Sequence, residues 1–549
     1  MRHERIAEQS PSSISYRADI DGLRAVAIMP VVLFHANIDA FAGGFVGVDI
    51  FFVISGFLIT KILLEAIECH RFSIVHFYER RARRILPALF AMLLAVQLVG
   101  FLVLLPTEYV SLSKTSISTI LFGSNIWFWY SSNSYFATET ETLPLLHTWS
   151  LAVEEQFYIV FPILLFGLML LGRRIAFWAI VVISLGSFGL GVLATQADPV
   201  AAFYLTQNRA WELGIGSLLV LWYKPWPTKQ VLRQTLAIAG AAAITIAIAT
   251  YDRSTPFPGY AALLPAFGAA AVIISGANGP TVIARLLSLR PLVFVGIISY
   301  SLYLWHWPVF AYLRIINGSV ELDPLMVVAA IGASLAIAAL SWAYIEAPFR
   351  RPPSLGFSRL AVFRFSAVAA IALAGLAAVS WSSGGMPSRF SPSVYMANES
   401  SDDENPDQDR CMSHGTEPSF CTFPAADVEN QPIDFMLWGD SHADSLMPGV
   451  ALAAEQAGMT GVLAGKWACP PLLNANYWKN SKHPGCAKFN NRVVEKLQSR
   501  DDIPLVILAG RWAVWAEGGL RRAPVAEQAV TTSNFTEDSH RLFFESLRD

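Results

Sequence analysis

Apolar runs about twenty residues long recur along the first 380 residues and constrain the fold more than any other feature of the chain. A helix needs roughly 20 mainly apolar residues to cross a hydrocarbon core of about 30 Å. Eleven such runs can be read, centred near residues 31, 56, 96, 161, 185, 215, 241, 267, 303, 335 and 371. Lipid-exposed irregular backbone has no partner for its polar groups, so runs of this length predict helices. Composition agrees: 54% of residues are hydrophobic and 15% charged, against about 45–50% and about 25% in soluble domains. A net charge of −3 provides no basic field for nucleic acid. The run Ile117 to Tyr130 is shorter and ends in Trp127, Trp129 and Tyr130. Aromatic rings favour the headgroup level, so this run is read as interfacial or packed within the bundle. A twelfth span there would invert everything after it.

Positive charge sets the direction. With the N-terminus inside, the inner loops carry Arg80, Arg81, Arg83 and Arg84, then Arg173 and Arg174, Arg285 and Arg290, and Arg350 and Arg351. The outer loops carry chiefly Lys114 and Arg253. This satisfies the positive-inside rule, and an odd number of spans places the C-terminal part outside. From about residue 385 the composition is that of an ordinary soluble domain. Four cysteines, Cys411, Cys421, Cys469 and Cys486, lie there, and Cys69 is alone in the first part. In an exported domain they read as two disulfides, with sequence neighbours suggesting Cys411–Cys421 and Cys469–Cys486. The alternative is four buried free thiols. No small-residue cleavage site follows the polar stretch from Met1 to Tyr16, so the first span is expected to stay as an anchor.

Ionisable residues sit inside or at the edges of these runs: Asp21, Arg24 and His35; Asp49; His147, Glu154 and Glu155; Arg209 and Glu212; and His306. A charged side chain at mid-bilayer costs about 2.5–3.5 kcal/mol even on the lenient insertion scale. Several cannot all face lipid, so they must converge on a shared polar interior. His35 reads either as a histidine bonded to a helix carbonyl or as a general base for a hydroxyl proton. Asp49 reads as a candidate supporting group or as an ion-pair partner of Arg24. Glu154 and Glu155 are adjacent and point to different faces of their helix, so at most one is expected to act in chemistry. His306, between Trp305 and Trp307, fits a hydrogen-bonded interface or a ligand contact. Arg81 and Arg84 stand three apart, on one helix face. There they suit a phosphate gripped bidentately or serve as ordinary inner-side anchors. The histidine spacing contains no metal motif.

Together these elements resemble the acyltransferase family 3 membrane proteins over roughly residues 16 to 350. Arg24 and His35 are separated by ten residues, as in that family's Arg/Lys-x10-His element. Arg81-Ala82-Arg83-Arg84 is similar to its Arg-x-x-Arg element, and DGLRA, GVDIFFVISGFLI, WSLAVEEQFY and SYSLYLWHWP look like its signatures. The resemblance implies transfer of an acyl group, commonly acetyl from cytoplasmic acetyl-CoA, to a hydroxyl of a cell-surface polysaccharide or its lipid-linked precursor. Lipopolysaccharide O-antigen and exopolysaccharide are the acceptors it suggests. It makes His35 catalytic with Arg24 in support and gives the CoA phosphates to Arg81 and Arg84. Asp49, Glu154 and His306 become supporting groups. It also implies a bacterial inner membrane.

Beyond the spans, GGMPSRF opens a polar stretch, NESSDDENPDQDR, read as a linker. Ile433 to Trp438 then reads as a strand and Ala443 to Ala457 as a helix, with Asp440, Ser441 and His442 between them. Further strand-like runs end at Gly465 and Gly510, and the alternation suggests an open α/β sheet. A serine at a strand–helix junction is exposed beside N–H groups that can hold an oxyanion. This segment looks like the first block of SGNH-type hydrolases, often fused behind acyltransferase-3 segments. The likeness makes Ser441 the nucleophile, supported by Asp440, and Gly465 a possible oxyanion donor. Two departures stand out: Arg511-Trp512 replaces the usual oxyanion Asn, and no Asp-x-x-His precedes Asp549. Asp538 and His540 have another spacing, and His442 adjoins the serine too closely to serve easily as its base. The domain thus reads as C-terminally incomplete, or as a glycan binder that does not hydrolyse.

The expected architecture is a polytopic α-helical membrane bundle of about ten core spans over 16–350 and a linking span over 351–385. A linker over 386–430 and an exported α/β SGNH-like domain over 431–549 complete it. The rival function is an exporter of a polar solute or lipid-linked sugar, which would need neither acyl-CoA nor an imidazole at residue 35. A deacetylase would leave the bundle unexplained.

Overall fold

The computed structural model describes residues 16–131, 140–223, 226–350, 357–400, 404–423, 432–473, 475–477, 485–500, 503–512 and 520–522. The chain forms two compact units, divided after Tyr395.

In the first unit a helix forms over each of the eleven apolar runs: α1 Ala18–His35, α2 Gly47–Glu68, α3 Ile74–Val103, α4 Thr148–Leu170, α5 Arg173–Ala197 and α6 Thr206–Leu221. They continue with α7 Gln230–Thr250, α8 Leu263–Ser275, α9 Arg290–Asn317, α10 Pro324–Ser341 and α11 Arg359–Ser382. Among the described residues, eight helices are long and apolar enough to cross a membrane. The other three runs are helical but fall outside that description for physical reasons. Asp19, Asp21 and Arg24 make α1 too charged. At 1.5 Å per residue, α6 and α8 extend only about 24 and 20 Å. The run Ile117 to Tyr130 is no continuous span. Helix Pro106–Ile120 ends there and a separate helix, Ser124–Ser131, begins. Capping residues mark several starts. Asp323 accepts from the N–H groups of Leu325 and Met326 before α10, and Ser358 from that of Ala361 before α11.

Close approach of helices is set by small residues. A Cβ at Gly56 would overlap the carbonyl of Leu213, and one at Gly216 would overlap the carbonyl of Val53. Helices α2 and α6 therefore touch backbone to backbone, as small-residue interfaces allow in membranes. That contact brings Asp49 on α2 to Arg209 and Glu212 on α6. Helix α1 packs against both α2 and α9, and its Arg24 lines a cavity inside the unit.

The second unit is built on a sheet in the order β1 (Met412–Ser413), β4 (Gly461–Lys466), β3 (Phe435–Gly439), β6 (Val506–Ala509), all parallel. Strand β2 (Cys421–Phe423) runs antiparallel to β4. Strands β1 and β2 fall within the stretch read as linker. Strands β5 (Ala475–Tyr477) and β7 (Leu520–Arg522) form a separate antiparallel pair. Helices α12 (Ser441–Ala457) and α13 (Cys486–Gln498) are the unit's two long described helices. Cys411 is bonded to Cys421 and Cys469 to Cys486, the two pairs suggested by sequence proximity, and Cys69 is free.

Candidate active site

Two of the cavities within the helical unit gather its ionisable residues. One, about 800 Å³, is lined by Arg24, Arg81, Arg84, Ser55, Glu154 and Tyr158, together with apolar side chains. Arg81 and Arg84 come from one face of α3, three residues apart, and have no hydrogen-bond or ion-pair partner among the described residues; Arg81 Nε is buried. The neighbouring Arg83 is committed elsewhere. It pairs with Glu79 at 2.9 Å and donates to the carbonyl of Phe357 at 2.6 Å. Glu154 is fixed from both sides, by Ser55 Oγ at 3.0 Å and Tyr158 Oη at 3.1 Å. Glu155 points elsewhere and is buried with Oε1 unpartnered. Arg24 is paired with Asp21 at 3.2 Å, not with Asp49.

The smaller cavity, about 450 Å³, is lined by His35, His147, Arg209, Trp149, Tyr303 and Trp307 among others. Val48 and Tyr303 line both cavities and form the wall they share. His35 Nδ1 lies 3.0 Å from His306 Nε2, and His306 Nδ1 lies 3.0 Å from the carbonyl of Leu302. A carbonyl can only accept, so His306 carries its proton on Nδ1 and presents a lone pair at Nε2. His35 must then donate from Nδ1, which leaves its own Nε2 as a lone pair. Trp307 packs against the His35 ring at 4.4 Å between centroids. Arg314 donates to the His35 carbonyl at 2.6 Å and closes the end of α1. The arrangement can accept a proton at His35 Nε2, and fully buried His306 holds the ring for it.

Asp49, expected beside Arg24, instead pairs with Arg209 at 2.8 Å, and Glu212 pairs with the same guanidinium at 2.8 Å. The reason is topological: the glycine contact presses α2 onto α6, while Arg24 finds Asp21 one turn away on its own helix. Sequence reasoning missed this triad and the double role of Tyr303. The Arg209/Glu212 spacing of three was the one available signal for the triad. Among the described residues no group of His, Cys, Asp and Glu could hold a metal.

In the second unit Ser441 is the first residue of α12, at the carboxyl end of β3. Asp440 caps that helix. Its Oδ1 accepts from the His442 N–H at 2.8 Å and faces His442 Nδ1 at 3.2 Å. Its Oδ2 accepts from the Arg511 N–H at 3.0 Å, tying the end of β6 to the serine turn. Gly465 stands level with Gly439 at the end of β4. The next residue, Lys466, is buried and donates to the carbonyls of His414 and Gly415 at 3.4 and 2.7 Å. Burial lowers its pKa. Asp538 and His540 lie outside the described residues.

Fold and cavities together define a class: a multi-pass membrane protein with ionisable groups gathered inside its helices, followed by an α/β domain. Residues 17–343 match the acyltransferase domain of acyltransferase family 3, and the chain belongs to that family. Residues 402–548 match the SGNH domain found fused to such domains. The O-acetyltransferase OatA of Staphylococcus aureus strain NCTC 8325 is 30% identical over 357 residues, 63% of this chain and 59% of that protein. A putative O-acetyltransferase of Staphylococcus aureus strain MSSA476 is 31% identical over 350 residues, 61% of this chain and 58% of that protein. The matched region thus spans less than two thirds of these curated relatives. No solved structure matches the chain.

Proposed function

We propose that this chain is an O-acyltransferase that carries an acyl group, acetyl in the simplest case, from cytoplasmic acyl-CoA to a hydroxyl of a cell-surface glycan outside the membrane. The observation that carries the reading is the His35–His306–Leu302 hydrogen-bond chain, which leaves a basic Nε2 in a cavity adjoining an arginine-lined one. The names of the relatives, O-acetyltransferases, point the same way.

In this reading the N-terminus is cytoplasmic, and the cavity with Arg24, Arg81 and Arg84 receives the donor. The unpartnered guanidiniums of Arg81 and Arg84 suit phosphate oxygens, which they bind bidentately and with charge assistance. Arg24 and His35 stand eleven residues apart on α1, about 16 Å along a helix axis. That is about half the hydrocarbon thickness, so a donor held at the arginines must extend its acyl end toward His35. His35 Nε2 takes the proton of the attacking hydroxyl. The Ser441 domain, outside the membrane, receives the acyl group or holds the glycan.

The test is the O-acyl content of surface polysaccharide in a deletion strain complemented with wild type or His35→Ala at equal membrane level. Restoration by wild type alone supports the reading. Equal restoration by both removes His35 from the chemistry. Altered glycan export with no acyl ester from either would favour the exporter.

A further inference from the structure

We propose that Arg209 is a catalytic residue: its guanidinium donates to the carbonyl oxygen of the transferred acyl group and holds the negative charge that develops there. The proposal rests on the acyl-transfer reading and adds the electrophilic half of the site to the base at His35.

Three observations converge. Arg209 is fully buried, yet its Nη1 has no hydrogen-bond partner. Buried donors are nearly always paired, and an orphan needs an explanation such as a missing ligand. Second, Arg209 lines the same cavity as His35. In that lining the Tyr303 hydroxyl and Trp307 Nε1 are committed to the carbonyls of His147 and Leu143 at 2.7 Å each, and His147, whose ring nitrogens are also unpartnered, offers at most a neutral imidazole N–H. Arg209 is the permanently charged donor that remains. Third, its orientation is imposed. Asp49 holds Nη2, and Glu212 holds Nε at 2.8 Å and Nη2 at 3.2 Å. Phe52, Trp149 and Phe257 surround the guanidinium carbon with ring centroids at 5.4–5.6 Å. A planar fork clamped by carboxylates keeps its remaining NH2 in one direction. Aromatic walls exclude water, so a donor there is preorganised and stronger than in solvent.

The step balances. The acceptor hydroxyl gives its proton to His35 Nε2 while its oxygen bonds to the acyl carbon, and the carbonyl electron pair moves onto the oxygen facing Arg209. Return of that pair breaks the carbon–sulfur bond of the thioester. The leaving thiolate takes the proton from His35, which regenerates the base. Asp49 and Glu212 are positioning residues in this scheme.

The experiment uses full-length protein in glycan-bearing membranes, with acetyl-CoA labelled in its acetyl group as the probe. Arg209→Lys keeps the charge and removes the fork. The triple variant Asp49→Asn, Arg209→Gln, Glu212→Gln removes all three charges together, so neither carboxylate is left buried and unpaired. Both are expected to lower kcat by about 100-fold or more, the scale of losing one oxyanion donor. KM for acetyl-CoA should stay within about twofold, because the contact strengthens only in the transition state. A structural role would lower protein level and leave the rate per molecule unchanged. Transfer per molecule close to wild type in either variant overturns the proposal, as does failure of both to accumulate. If wild type itself transfers no label, the acyl-transfer reading fails first. Active wild type alongside equally active Arg209→Lys defeats the Arg209 assignment alone.

Discussion

Replacing His306 with phenylalanine tests whether His35 is held as a base by its neighbour. In the native arrangement the Leu302 carbonyl fixes the proton of His306, and His306 Nε2 in turn accepts from His35 Nδ1, both at 3.0 Å. Phenylalanine keeps an aromatic ring at a position with no exposed surface, so the cavity walls should hold. It accepts no hydrogen bond. The Nδ1–H of His35 is then stranded in a buried place, at about 1–3 kcal/mol, unless the imidazole changes tautomer or turns. The first escape protonates Nε2 and the second moves its lone pair out of place. At about 1.4 kcal/mol per factor of ten, the competent form falls about 5- to 150-fold and the transfer rate falls with it. His306→Gln keeps an acceptor oxygen and should lie between wild type and phenylalanine. Labelled acetyl transfer in membranes, normalised to protein level, reads the order directly. A His306→Phe protein with wild-type kcat would falsify the claim that His306 sets the tautomer of His35.

Three further outcomes follow from the structure. Arg81→Ala and Arg84→Ala should each raise KM for acyl-CoA about tenfold or more, the scale of one charged hydrogen bond of about 1.5–3 kcal/mol, with kcat much less affected. Arg83→Ala should instead lower protein level, because Arg83 is paired with Glu79. Removing the Cys469–Cys486 bond, which joins residues 17 apart, should destabilise the second unit by about 3 kcal/mol. Earlier proteolysis of the domain in otherwise intact full-length chain would report it, and unchanged resistance would contradict it.

Much of the candidate site was legible in the sequence because membrane insertion penalises every charge. In a soluble chain His35 or Arg24 would be one polar residue among many. In an apolar run each is conspicuous, and the requirement that such groups avoid lipid already implies a shared interior. The same logic distinguished Arg81 and Arg84 by helical spacing, although Arg83 between them could not be dismissed until its pairing with Glu79 was seen. Tyr303 carried no such signal. A tyrosine in a row of aromatics does not reveal that it stands between two cavities.

By itself the sequence determined the eleven helical runs, the change to an α/β domain and the list of ionisable residues that must face inward, and it suggested the cysteine pairs. These follow from local quantities: length against bilayer thickness, residue spacing and the expense of a charge in lipid. Tertiary structure alone decided who meets whom. Asp49 went to Arg209 because Gly56 and Gly216 let two backbones touch, Arg24 went to Asp21, and His35 met a histidine 271 residues away. Pairings of that kind depend on how helices cross, and helix crossing is set by packing between surfaces that no single segment contains.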